Sequence, residues 1–287
     1  MLINRIRNLR LINRSIDCAV KKNLLQWLPP SPPADGTPME VDSSSKSNTT
    51  DPVPEVEMYL RLLILHYLLS SEETHEQALD LANETVQKMQ QLNRRSMDAI
   101  AAKIWYAVER AYDFAAELSD VRRYGFQSPY LHLALTQVES LFLAAQKTAS
   151  LRQDDEAQAA LINCLLKSYI TENLYDQADK LVSKTTFPSS ASNAQFARYH
   201  YYLGRIRTVQ LNYTEAHTNL QQAIRRAPPA KTAPGFYQTV HKYFIVVELL
   251  MGDIPDRSLF RHVVLEKALI GYFEIVKGTF PLYYAVL

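Results

Sequence analysis

The sequence predicts an all-α protein, a right-handed solenoid in which helix pairs stack on one another. Two observations lead to this fold class. Apolar residues recur every three or four positions in ten long segments, and only seven glycines interrupt 287 residues. The ten segments predict helices joined by short turns. A helix pair of this kind cannot bury its own apolar face, so it must stack on its neighbours.

The ends of the chain are predicted to differ from this helical body. Residues 1–28 carry six basic side chains and apolar residues on one helical face, which predicts a basic amphipathic helix or, alternatively, a targeting presequence. Residues 29–55 hold seven of the 14 prolines among Ser, Thr and Asp, which predicts a disordered linker. The solenoid is expected over residues 56–277, and residues 278–287 form a divergent tail.

The helical body is predicted from the apolar spacing of each segment in turn. One segment, "YFIVVELL", is rich in β-branched residues, but it lies within a longer helical stripe that Gly252 closes. The predicted helices are Val56–Ser70, Glu76–Leu92, Ala99–Leu118, Leu131–Ala149, Glu156–Ile170, Tyr175–Val182, Ala194–Leu211, Thr214–Arg226, Phe236–Met251 and Leu259–Val276.

The stretch "YYLGRIRTVQLNYTEAHTNLQQAIRRAP" matches the landmarks of a tetratricopeptide repeat. Small residues are needed where the two helices of a pair approach closely, large apolar residues fill the groove, and a proline ends the second helix. A weaker copy lies 38 residues upstream, and a third ends near Ala78. The landmarks of the main copy are Leu203, Gly204, Tyr213, Ala216, Leu220, Ala223 and Pro228.

Composition and motifs exclude several classes of function. Lys and Arg (31) nearly balance Asp and Glu (30), so no general field attracts nucleic acid or an anionic membrane, and neither is expected as a partner. The two cysteines are far apart, which favours a reducing compartment. No phosphate-binding, nucleophile-elbow or zinc-protease motif is present, and the histidines lack metal-ligand spacing. We therefore predict no catalytic, cofactor or metal site.

Basic side chains around the repeat are the candidate functional residues. They could bind an acidic partner, although a solvated helix face would look the same. The five residues are Arg205, Arg207, Arg225, Arg226 and Lys231.

Several blocks resemble the PCI-domain family of the 26S proteasome regulatory particle lid: "PEVEMYLRLLILHYL", "NRRSMDAIAAKIWY" and, above all, "GFYQTVHKYFIVVELLMGDIPDR". The resemblance implies a non-catalytic scaffold of the cytoplasm and nucleus. Such a scaffold assembles with other lid subunits and supports ATP-dependent degradation of ubiquitinated proteins. It also implies that a small acidic lid subunit lies along the solenoid, which would give the basic residues a role.

The sequence departs from this family pattern in three places, one of which is the extreme N-terminus, where the match is poor. Residues 124–145 form an extra or rearranged stretch, and the sequence stops after "PLYYAVL", so no complete winged helix is expected. Two alternatives stay open. The chain could serve another PCI-type assembly, such as the signalosome or a translation initiation complex, or it could be an unassembled truncated isoform.

Overall fold

The computed structural model describes residues 26–27, 53–71, 74–92, 94–122 and 129–285. The predicted amphipathic helix over residues 1–28 and the predicted linker over 29–55 lie almost entirely outside these residues, so both stay predictions. Among the described helices, none combines the length and the apolar character that crossing a bilayer requires.

Eleven α-helices and one 3₁₀ turn account for the secondary structure of the described residues, which contain no strand. The predicted all-α class is therefore confirmed. The 3₁₀ turn is Arg95–Met97. The helices are α1 (Pro54–Leu68), α2 (His75–Leu92), α3 (Asp98–Arg122), α4 (Pro129–Arg152), α5 (Asp155–Thr171), α6 (Tyr175–Lys184), α7 (Asn193–Val209), α8 (Tyr213–Arg226), α9 (Pro234–Met251), α10 (Arg257–Phe260) and α11 (Ile270–Ala285).

The chain forms two compact units, residues 1–137 and residues 138–287. In the first unit, α1, α2 and α3 pack on one another around aliphatic residues such as Leu65, Leu81 and Ile104, none of which is measurably exposed. Trp105 is also buried here. Burial of such side chains contributes about 1.5–3 kcal/mol each to folding.

A buried arginine links α1 to α2 within the first unit. Arg61 donates from Nε to Glu57 at 3.0 Å and from Nη2 to Glu84 at 3.1 Å, and its side chain is 1% exposed. Lys88 of α2 reaches the same Glu57 at 2.9 Å. Since removing one partner of a buried pair leaves the other charge without compensation, this network fixes how α1 and α2 pack.

The second unit contains two groups of packed apolar side chains. One lies between α7, α8 and α9 and includes Tyr201, Leu220 and Val247. The other joins α9 to the last part of the unit through Ile245 and Leu265. Helix α5 is buried along almost its whole length, because α6 and α7 pack against it.

Four helices of the second unit end in the same turn. One residue adopts a left-handed conformation, and its N–H donates to the carbonyl three residues earlier at 3.1–3.3 Å. The next N–H donates to the carbonyl five residues earlier at 2.8–3.0 Å. This Schellman arrangement satisfies the free carbonyls of a helix end. The left-handed residues are Gln153 (φ 56°), Asn173 (φ 61°), Leu211 (φ 65°) and Gly252 (φ 90°).

The predicted helix over Leu259–Val276 is wrong. Helix α10 ends at Phe260, residues 261–269 form turns, and α11 begins at Ile270. The turns keep some helical backbone bonds, such as that from the Glu266 N–H to the His262 carbonyl at 2.9 Å, but Val264 bonds to side chains instead. Gln238 of α9 donates to the Val264 carbonyl at 2.9 Å, and His262 Nδ1 accepts from the Val264 N–H at 3.3 Å. The turns bury Leu265 in the second apolar group.

Replacing Leu211 by asparagine is expected to stabilise the chain. A left-handed backbone costs an ordinary side chain about 1–2 kcal/mol, whereas asparagine, which stands at the equivalent Asn173, tolerates it. Leu211 is 71% exposed, so little packing is lost. We expect Leu211→Asn to raise the free energy of unfolding by about 0.5–1 kcal/mol in urea denaturation followed by circular dichroism.

Leu151→Asn is the matched control, because Leu151 is 87% exposed but lies within α4. Leu151→Asn should not raise the free energy of unfolding. An equal gain in both variants would contradict the backbone explanation.

Candidate partner-binding surface

The centre of the predicted repeat is a close approach between α7 and α8 at Gly204. A methyl group at this position would lie 2.8 Å from Cγ and 2.9 Å from Cδ2 of Leu220, which is closer than real carbon contacts allow. Leu220 and Ala216 are fully buried. Gly204 therefore serves helix packing, and its surroundings hold no phosphate-binding loop.

The other repeat landmarks lie around this contact. Ala223 is fully buried on α8, while Leu203 and Tyr213 are half-buried. Pro228 is half-buried just beyond the end of α8. Of the landmarks, Tyr213, Ala216, Leu220 and Ala223 pack with Val240 and Val247 of α9 in the first apolar group.

The structure does not bring the five basic residues into one cluster. Arg207 forms ion pairs with Asp179 at 3.0 Å and with Glu215 at 3.1 Å, and its side chain is 24% exposed. The Arg205 guanidinium lies over the ring of Tyr243 at 5.0 Å and near that of Tyr201 at 5.8 Å. Both arginines therefore hold neighbouring helices together.

The remaining basic residues lie toward the opposite end of the α7–α8 pair. Arg226 stacks on Phe196 at 4.4 Å, at the start of α7. Since Arg207 follows Phe196 by eleven residues, the two arginines are about 16 Å apart along the helix axis. Arg225 and Lys231 are exposed, and neither forms an ion pair with another described residue. They are the cations that a partner could reach.

Aromatic side chains lie beside this basic end. Phe187 stacks on Tyr199, with ring centroids 4.3 Å apart, and meets Phe196 edge-on at 4.9 Å. His200 donates from Nδ1 to Oδ1 of Asn219 at 3.0 Å. Burial, together with Arg226, lowers the pKa of His200, although the Asn219 bond favours the charged ring. His200 therefore adds no positive charge here at neutral pH. Sequence reasoning missed Phe187, because it lies in a loop without periodicity.

A histidine and a carboxylate face each other between α8 and α9. His217 Nε2 lies 3.6 Å from Glu248, and its ring stacks on Phe244 at 4.9 Å. Burial raises the pKa of Glu248; His217 opposes this shift, and the nearby Asp253 and Asp256 add to it. No group of three potential metal ligands occurs among the described residues.

The carboxylates of "GDIPD" shape the turn after α9. Asp256 accepts from the backbone N–H of Ser258 at 3.2 Å and from its hydroxyl at 2.8 Å, so it caps α10. The Ser258 bonds lower the pKa of Asp256 and keep its side chain charged. Gly252 closes α9 in the left-handed conformation.

Comparison with known proteins matches residues 6–276 to a family described as "PSMD3-like, N-terminal TPR repeats". The chain belongs to this family. A relative from Anopheles gambiae is 38% identical over 97% of the chain and is named "Probable 26S proteasome non-ATPase regulatory subunit 3". A relative from Dictyostelium discoideum, named "26S proteasome non-ATPase regulatory subunit 3", is 39% identical over 91% of the chain. One from Anopheles stephensi is 43% identical over 78%.

The chain spans about half the length of these relatives. The aligned part covers 55% of the Anopheles gambiae protein, 49% of the Dictyostelium protein and 41% of the Anopheles stephensi protein. The family match therefore covers the tetratricopeptide-like repeats and, within them, the α7–α8 pair described above.

Gly204→Ala is expected to destabilise the second unit. The gain in helix propensity, about 1 kcal/mol, is outweighed by overpacking against Leu220, which costs about 1–3 kcal/mol. We expect a net loss of up to about 2 kcal/mol in urea denaturation followed by circular dichroism.

Two further variants test the cause. A methyl group at Gly235 of α9 meets nothing within 4 Å, so Gly235→Ala should not destabilise. Adding Gly204→Ala to Leu220→Ala should cost less than Gly204→Ala costs alone, because the clash has been removed. Additive costs would show that the methyl group does not act through Leu220.

Proposed function

We propose that the chain is a non-catalytic scaffold subunit of the 26S proteasome regulatory particle lid. In this role it supports ATP-dependent degradation of ubiquitinated proteins. The observation that carries the proposal is the family match over residues 6–276, together with relatives named as regulatory subunit 3. Tetratricopeptide-like helix pairs suit a scaffold, because each pair adds a surface for neighbouring subunits while the packed core stays constant.

Its chemistry favours a scaffold over an enzyme. The relatives are named non-ATPase regulatory subunits. Several charged side chains of this chain have structural roles. Arg61 links α1 to α2, Arg207 joins Asp179 and Glu215, and Asp256 caps α10. Scaffold function needs these contacts for rigidity.

A finer proposal concerns an acidic partner. The basic end of the α7–α8 pair presents Arg225, Arg226 and Lys231 to solvent, and Arg226 lies over the aromatic ring of Phe196. An acidic, extended segment with apolar side chains is complementary to such a surface. We propose the small acidic lid subunit as the partner of this surface.

The assembly proposal is tested by purifying the tagged full chain from cells under native conditions, with mass spectrometry of what accompanies it. We expect lid subunits in near-equal amounts and migration at megadalton size. A free 32.8 kDa chain would refute lid assembly. Recovery of signalosome or initiation-factor subunits instead would show that the chain assembles into another complex.

The acidic-partner proposal is tested with the double variant Arg225→Glu and Lys231→Glu. Reversing two exposed charges should reduce recovery of the acidic subunit at least tenfold while the other lid subunits stay bound. A tenfold loss of affinity requires only about 0.7 kcal/mol from each of the two charges. Lys103→Glu, an exposed lysine of α3, is the control and should change nothing. Unchanged recovery of the acidic subunit in the double variant would refute this binding surface.

A further inference from the structure

Aliphatic side chains are exposed where α7 and α9 end. Val209 and Leu211 lie at the turn between α7 and α8 and are 51% and 71% exposed. Leu250, Met251 and Ile254 lie at and just beyond the end of α9, with exposures of 52%, 37% and 40%. We call these five residues the apolar edge.

Contacts between the helices place both parts of the apolar edge at the same end of the second unit. His217, one turn into α8, lies 3.6 Å from Glu248, one turn before the end of α9. Arg205, one turn before the end of α7, lies over Tyr243 of α9. Helices α7 and α9 therefore run in the same direction and end side by side.

The backbone conformation of Leu211 indicates that the exposure of its side chain has a function. The residue holds a left-handed conformation at φ 65°, where Gln153, Asn173 and Gly252 occupy the equivalent positions of the three other turns, so Leu211 is the apolar side chain among the four. Backbone strain makes a leucine at this position destabilising. Burial offsets almost none of this cost, since the side chain is 71% exposed. Strain of this kind in an exposed side chain points to use in binding.

Acidic groups surround the apolar edge. The Glu215 side chain is 56% exposed next to Leu211, and Asp253 and Asp256 are exposed on either side of Ile254. Arg207, at the same turn, is already held by Asp179 and Glu215. The surface is thus apolar in the middle with carboxylates at its rim.

We propose that the apolar edge is a docking surface for an amphipathic helix of a partner protein, one whose apolar stripe is flanked by lysine or arginine. The apolar stripe of such a helix would cover Leu211 and Leu250, while its cations would meet Glu215 and Asp253. A strand is a poor occupant, because the described part of the second unit offers no sheet edge to extend. The apolar edge and the basic end proposed for the acidic subunit lie at opposite ends of the α7–α8 pair. The proposed role of the apolar edge is therefore separate from binding of the acidic subunit.

The probe is a fluorescein-labelled 14-residue helix of leucine and lysine with its leucines on one face, and a leucine–glutamate peptide of the same pattern serves as comparison. Fluorescence anisotropy with the full chain should show binding of the lysine peptide that weakens with salt, and at least tenfold weaker binding of the glutamate peptide. Leu211→Asn combined with Leu250→Ser should weaken binding of the lysine peptide at least tenfold. Asp253→Lys should also weaken it.

Folding and binding are separable in this design. Leu211→Asn alone is expected to raise stability, so weaker peptide binding in that variant supports docking and cannot reflect unfolding. Leu151→Asn, at a leucine that is 87% exposed outside the apolar edge, should bind like the parent. Equal binding of the two peptides, or unchanged binding in the apolar-edge variants, would overturn the proposal.

Self-association gives a second decisive outcome. If sedimentation shows a dimer of the full chain that Leu250→Ser dissociates, a second copy is the occupant and the proposal of a basic partner helix is overturned. None of these measurements depends on assembly into the proteasome lid, so they can fail or succeed independently of the proposed function.

Discussion

The contact of Gly204 with Leu220 is the constraint on which the second unit depends. Only a residue without a side chain lets the α7 backbone approach Leu220 so closely. That approach lets α9 cover the pair through Val240 and Val247. This close contact therefore determines how α7 and α8 pack. It also positions the two ends of the pair, which carry the surfaces available to a partner.

The α7–α8 pair presents different chemistry at its two ends. At one end, Arg225 and Lys231 are exposed and free of ion pairs with described residues, and Arg226 lies over the ring of Phe196. At the other, Arg207 is neutralised by Asp179 and Glu215, and acidic and aliphatic side chains dominate. A helix pair with such polarity can contact two unlike neighbours at once, because charge selects which neighbour approaches which end.

Periodicity and the tetratricopeptide landmarks predicted the helical class and most helix positions, because both follow from local spacing. The break at residues 261–269 was missed. The Val264 carbonyl accepts from the side chain of Gln238, which lies on another helix, and such a long-range bond leaves no local signal in the sequence. The basic residues were grouped by their closeness in sequence. The structure separates them, because Arg207 and Arg226 lie toward opposite ends of antiparallel helices. Ion pairing with a distant residue such as Asp179 cannot be predicted from spacing.

The burial of Trp105 in the first unit has a consequence for spectroscopy. The chain has two tryptophans, Trp27 and Trp105, and both belong to residues 1–137. The second unit is instead rich in tyrosine, with Tyr199, Tyr201 and Tyr243 in or beside its aromatic contacts. Indole emission thus reports on the first unit alone, while phenol absorbance reports largely on the second. The two signals together distinguish one cooperative transition from two.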